Sequence, residues 1–447
     1  MRIRGLLIAV VVLAALAGGV YWSNKVKKAE EGKPSPDAPP KVLSIPQDQF
    51  QQIEIHKGGV DALTLRKDDA GKWQMVSPKQ LPVDQDAASS LVSSLSSLDS
   101  SRLVEEKSAD LAQFGLASPS LEVNVRQKDG KVTKLLVGDE SPAGGGHFVK
   151  LDGDPRVFTI ASYNKTSIDK TPADLRDKRL MTFDSDKLTR VELKAKGQSI
   201  EFGKNNQNEW QIIKPKPLRA DGGQVEELVR KLKDARMETT VSDADTKKAA
   251  AAFPGAKPVA VVRTTDAAGT QELDVRKDKD NNYYAKTSVV EGVQKLTTFV
   301  GEGLDKGLDD FRNKKLFDFG FHDPSKLEIR DGGKQVVYQK TGDKWMSGSK
   351  QMDGPSVQAL VDKLRDLSAI KFLEQGSGST VFEAAVTSNE GKRLEKVIVS
   401  RQGDGFLARR ENEPAVYELD GKAVEELQKA AAAVKELQPP KKEEKKK

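Results

Sequence analysis

One combination of apolar and polar positions recurs three times along this chain. An alternating triplet opens each copy: Ile53-Glu54-Ile55, Val191-Glu192-Leu193 and Leu327-Glu328-Ile329. Alternation of this kind predicts a strand with one buried face. Eighteen to twenty residues later each copy places a tryptophan, Trp73, Trp210 or Trp345, on a second extended segment. A turn follows, and then an Asp (Asp84, Asp221, Asp353) that precedes an apolar series. Counted from the Asp, apolar residues fall at +7, +11 and +14: Leu91, Leu95 and Leu98; Leu228, Leu232 and Ala235; Leu360, Leu364 and Leu367. Val92, Val229 and Val361 all stand at +8. Steps of four and three with a neighbour at +1 make one helical face. The Asp suits the cap of that helix, where its carboxylate accepts from first-turn amides and meets the positive end of the dipole.

A second strand set follows each helix. In the first copy it reads Leu121 to Val125, Leu135 to Val137, Phe148-Val149 and Val157 to Ile160, split by Gly- and Asp-rich turns. In the second it reads Val259 to Val262, Leu273 to Val275, Tyr283-Tyr284 and Leu296 to Val300; in the third, Val397 to Val399 and Val416 to Leu419. The first two copies close on related segments, DLRDKRL with Arg176 and DDFRNKKL with Arg312, one period of 136 residues apart. The third lacks that closure and carries an Ala-rich helix from Asp420 to Leu437, as a terminal repeat that caps an array would. The fold class expected is α+β: three tandem repeat units of antiparallel strands with a packed helix, after an N-terminal transmembrane helix. The units run 42–183, 184–319 and 320–437, each the size of a small domain and not of a solenoid repeat. The helix does not stand alone. Three buried leucines contribute roughly 5–9 kcal/mol, whereas ordering some fifteen residues costs about 1–2 kcal/mol each. Its face must lie on the sheet, with the Trp at the seam.

The two ends differ from the repeats. Residues 1–24 form an anchor or signal segment: Arg2 and Arg4 precede an uncharged run from Gly5 to Trp22. At about 1.5 Å per residue that run spans roughly 27 Å, enough for a slightly thinned bilayer. Tyr21 and Trp22 stand where an interfacial aromatic pair belongs. A cleaved signal peptide is the rival, because Ala15-Leu16-Ala17 resembles a cleavage site. Residues 25–41 contain four prolines and make a semi-extended linker. Residues 438–447 form a charged tail whose bland reading is a solvated terminus; contact with anionic headgroups or an acidic partner is the sharper one. The placement expected is therefore the inner (cytoplasmic) membrane, crossed once through Gly5 to Trp22, with the bulk of the chain extracytoplasmic.

Composition narrows the chemistry. With 447 residues, 37% hydrophobic and 31% charged, the chain is globular and neither polytopic nor disordered. Its 73 basic and 67 acidic residues are interspersed, which makes no nucleic-acid footprint. It has no cysteine, so disulfides, thiolate catalysis and Cys-built zinc sites are excluded. The three histidines, His56, His147 and His322, show no metal-ligand spacing and read as turn or surface residues. The run Gly144-Gly145-Gly146 before His147 reads as a hairpin loop and not as a phosphate cradle. Asp278, Asp280 and Asn282 resemble the start of a calcium loop, but Tyr283 replaces the required Gly and the closing Glu is missing. Serines from Ser89 to Ser101 belong to the polar face of the first helix, and no GxSxG elbow occurs. The repeated tryptophans read as core before they read as a carbohydrate or peptide platform. Arg176 and Arg312 read as cations near helix ends, where they meet unpaired carbonyls, before they read as anion ligands. No catalytic, cofactor-binding or metal residue is therefore nominated, no cofactor is expected, and the protein is read as not an enzyme. An envelope hydrolase remains a third option, requiring convergent polar residues in a cleft.

A GKWQM-like Trp strand, FGLASPS before a strand, KLLVGDESPAGGGHFVK and the DLRDKRL closure, behind a membrane anchor, together resemble the bacterial family known as domain of unknown function 4340. The first copy matches best, the second moderately and the third in its front half. The resemblance implies a single-pass, extracytoplasmic protein whose relatives are often encoded beside ABC-transporter permeases and gliding-type auxiliary proteins, with no assigned catalytic residues. The function expected is a non-catalytic interaction or accessory module of an envelope or ABC-transporter complex, a permease or other envelope protein being the partner. The alternative is a cell-wall glycan- or lipid-binding protein of the envelope.

Overall fold

The computed structural model describes residues 40–142, 144–238, 243–320, 324–411 and 413–438. The expected anchor from Gly5 to Trp22, nearly all of the Pro-rich linker, the charged tail and His322 lie outside these residues. No helix among the described residues is long and apolar enough to cross a membrane.

Three large sheets, antiparallel throughout, account for most of the structure, and their strand order is the same. In the first, four strands run outward as a meander from Phe50–Lys57 through Leu63–Lys67 and Trp73–Ser77 to the short Leu81–Pro82. The helix Gln85–Ser96 then carries the chain across to the opposite edge, where Arg102–Glu105 forms the last strand. Leu121–Gln127 returns beside Phe50–Lys57, and three further strands fill the gap to that far edge. The third sheet has the same nine places, from Lys350–Gln351 at one edge to Ala369–Leu373 at the other. The second has eight strands, and Met237 makes only an isolated bridge to Leu296 where the ninth would pair. By packing, the described residues divide into two compact bodies, those up to residue 178 and those from residue 179 onward. The first body holds the first sheet and the second holds the other two.

Each crossing helix is built as its periodicity requires. Asp84 accepts from the amides of Asp86 and Ala87, Asp221 from Gln224, and Asp353 from Ser356. The buried faces are Ala88, Leu91, Val92 and Leu95; Val225, Leu228, Val229 and Leu232; and Val357, Leu360, Val361 and Leu364. The +4 position thus joins the face. The +14 residue leaves it: the helices end at Ser96, Lys233 and Asp366, so Leu98, Ala235 and Leu367 are buried just past them. There the carbonyls of Ala235 and Leu367 accept from Leu180 and Leu316, which join each sheet to the chain before it. Trp73, Trp210 and Trp345 are 5%, 8% and 7% exposed, and the ammonium groups of Lys67 and Lys204 lie 5.1 Å from the first two rings.

Three expectations need correction. The third closure is present. The residue before each cap Asp bridges the closing segment, Val83 to Arg176, Ala220 to Arg312 and Met352 to Glu436, so a Glu takes the place of the Arg. The final helix ends at Ala433 and not at Leu437, because Lys435 and Leu437 are needed as extended partners of Asp353 and Gln351. In the second repeat, Leu296 ends a strand from Val293 and Val300 sits in a helix, Thr298–Leu304. A further helix, Asp243–Ala252, escapes the periodicity reading because its alanines carry almost no amphipathic signal.

Candidate functional site

The residues singled out for possible chemistry are placed as structure. His56 lies on the strand Phe50–Lys57 and its Nε2 stands 3.5 Å from Glu54; His147 lies on Gly146–Leu151. Both are half-buried strand residues and not turn residues, so that expectation is also corrected. Gly144 and Gly145, at φ +76° and +77°, turn a hairpin closed by a bond from the Ser141 amide to the Gly146 carbonyl. Asp278 caps a hairpin turn: its carboxylate accepts from the amides of Asp280 and Asn282, the Asn282 side chain and the Tyr284 hydroxyl. Those bonds hold its pKa low, the Asn282 side chain contributing most. Ser90 and Ser94 donate back to carbonyls one turn earlier on the polar helix face. Arg176 and Arg312 do not serve helix carbonyls. Arg312 stacks its guanidinium 3.6 Å from the centre of the Phe372 ring and reaches Asp309 at 3.2 Å. Arg176 is half-desolvated, which lowers its pKa, and its Nε makes no hydrogen bond. Among the described residues no group of three or more His, Asp or Glu could hold a metal ion.

The structure instead concentrates charge where the second and third sheets meet, inside the second body. The segment after Arg312 runs between these sheets and carries Asp318. Its backbone amide donates to Glu395 Oε1 at 2.8 Å, and its carboxylate receives Arg219 Nη1 at 2.6 Å and Asn313 Nδ2 at 2.7 Å. Arg219, on the edge strand Leu218–Arg219, also donates to the Lys315 carbonyl at 2.7 Å and the Tyr417 hydroxyl at 3.2 Å, and its Nε stands 2.8 Å from Glu413. Arg410 mirrors it from the third sheet. It donates to the Leu316 carbonyl at 2.7 Å and to Glu395 at 3.0 Å, and its Nε stands 2.9 Å from Glu413. Tyr417 donates to Glu413 Oε2 at 2.6 Å. Burial alone would depress the Arg219 pKa. Asp318, then Tyr417 and Glu413, outweigh it and hold the guanidinium above the ordinary arginine range. The Tyr417 phenol is pushed up, first by burial and then by the carboxylate of Glu413, against Arg219.

The junction before the second sheet has the same plan in neutral form. Thr182, six residues past Arg176 as Asp318 is past Arg312, donates its amide to Gln271 Oε1 at 2.8 Å, and Gln271 returns a bond to the Thr182 hydroxyl. The Thr287 hydroxyl donates to the Leu180 carbonyl where Arg410 serves Leu316. The charged set is therefore an elaboration of one joint and not a repeated requirement of the fold. Sequence reading missed it, because Arg219, Asp318, Glu395 and Arg410 are far apart in the chain. The one available signal was the change from Thr182 and Gln271 to Asp318 and Glu395 at matching positions.

A polar cleft of about 610 Å³ opens beside this network. One wall is the turn Asn205–Glu209, where Asn205 Oδ1 accepts from the amides of Gln207 and Glu209 and Asn208 sits at φ +63°. The other wall is the strand Arg393–Gln402, through Arg393, Leu394 and Glu395. Arg393 ties the walls: it donates to Glu209 at 2.9 Å and to the Asp318 carbonyl at 2.7 Å.

A family model described as Domain of unknown function (DUF4340) matches residues 73–210 and 210–386, well over half of the chain. The two matched segments meet at Trp210, and the second runs past Trp345 into the third repeat. No curated protein matches the chain.

Proposed function

The chain belongs to the family of domain of unknown function DUF4340, and from that premise we propose a non-catalytic, membrane-anchored extracytoplasmic repeat protein. It acts as an interaction or accessory module of an envelope or ABC-transporter complex, held to the inner membrane through Gly5 to Trp22. One observation carries this reading: what the repeats keep in common is spent on building sheets. The tryptophans are buried, the three Asp residues cap helices, and the leucine faces are covered. A chain that multiplies a scaffold presents surface, and surface is what a partner uses. The apolar run at the N-terminus supports the anchor. The alternative, a glycan- or lipid-binding protein, finds no exposed stacking platform in the three repeated tryptophans, all of them buried, although Trp210 lines the cleft beside the charged joint.

Crosslinking in intact membranes followed by affinity capture of the full chain tests the proposal. It should recover a transporter permease or another envelope protein above the level of an unrelated anchored control. Repeated recovery of no specific envelope protein overturns it.

A further inference from the structure

The cleft beside the charged joint has an uneven supply of hydrogen-bonding groups. Its three guanidiniums are already engaged: Arg219 with Asp318, Lys315 and Tyr417, Arg410 with Leu316 and Glu395, and Arg393 with Asp318 and Glu209. Acceptors are in surplus. Glu395 is 5% exposed and lines the cleft, and its Oε1 takes the Asp318 amide and Arg410. Its Oε2, equally buried, makes no hydrogen bond. A buried carboxylate oxygen without a donor is costly, by more than a neutral group would be. Glu226, exposed on the second turn of the adjoining helix Gly222–Lys233, adds another carboxylate to the lining. In all, four carboxylates (Glu209, Glu226, Asp318, Glu395) face three arginines.

We propose that this cleft binds a small ligand through a primary ammonium group, which donates to Glu395 Oε2. An anion is disfavoured because each guanidinium is already paired with a carboxylate, and a neutral hydroxyl leaves the excess negative charge uncompensated. An ammonium answers both, with up to three donors and one positive charge. The Arg393–Glu209 pair, tied across the cleft and partly exposed, is part of its rim. Ion pairs of that exposure hold weakly, so it opens at little cost. An amino sugar and an aminoalcohol headgroup both present this chemistry.

Isothermal titration of the full-length chain with glucosamine, ethanolamine, glucose and inorganic phosphate separates the possibilities. Saturable binding of glucosamine, ethanolamine or both, with glucose and phosphate silent, supports the ammonium site, and the stronger of the two names the source. Glu395→Gln should weaken that binding about tenfold or more, the loss expected when a charged hydrogen-bond partner is neutralised. Should that variant fail to fold, Glu226→Gln on the exposed rim must still weaken binding. Equal binding of glucose, binding of phosphate, or no binding by either amine overturns the proposal.

Discussion

Arg219 has two carboxylates, a phenol and a carbonyl around one guanidinium that is 15% exposed. Removing one partner from such a cluster leaves the others desolvated without compensation, which typically costs about 3–5 kcal/mol. Arg219→Met should therefore destabilise the second body by about that amount in urea denaturation. Adding Asp318→Thr, the residue its counterpart Thr182 carries, should recover part of the loss, because Glu413 keeps Arg410 at 2.9 Å. A double variant no more stable than the single one would mean that Asp318 is not the group left stranded. The joint at Thr182, Gln271 and Thr287 makes the corresponding connections through neutral side chains. Charge at the second joint is thus dispensable for folding in principle.

At the scale of the element, the crossing helix is the part whose sequence and structure agree most closely. Its cap, its apolar face and its start were all legible, because each is a local property of one stretch of chain. Asp221→Ala should cost about 0.5–2 kcal/mol in chemical denaturation, since the Gln224 amide loses its acceptor. Asp221→Asn, which keeps an acceptor, should cost less; equal losses would assign the effect to charge and the helix dipole. The helix end was less legible. Leu98, Ala235 and Leu367 keep the apolar spacing, but the last two helices stop at Lys233 and Asp366, and the carbonyls of Ala235 and Leu367 beyond them receive Leu180 and Leu316. A partner from more than fifty residues away decided the last turn. The third closure was illegible for a similar reason: Glu436 bridges Met352 through backbone atoms, so an Arg was never required there.

For the whole molecule, three sheets of one strand order occupy two compact bodies. Within the second body the segment from Asn313 to Phe319 is bonded to both sheets: Asn313 donates to the Arg219 carbonyl, Leu316 to Leu367, and Asp318 to Glu395. The second and third sheets should therefore unfold together. Residues 179–447 expressed alone should melt in a single calorimetric transition whose van't Hoff and calorimetric enthalpies agree. Two resolved transitions would show that the charged joint does not couple the sheets. If the joint does couple them, a ligand in the adjoining cleft raises the temperature of that one transition, by mass action on the folded state.

Periodicity along the chain was sufficient to determine the repeat, its strand-and-helix content, the capping aspartates and the burial of the tryptophans, because nearest-neighbour chemistry and alternating polarity decide those. Family membership followed from the same local motifs. Tertiary structure alone decided where each helix stops, that a Glu closes the third repeat, and that five charged residues from separate segments share one joint. Such pairings depend on which strands become neighbours, and a sequence read in order holds no measure of distance across a sheet.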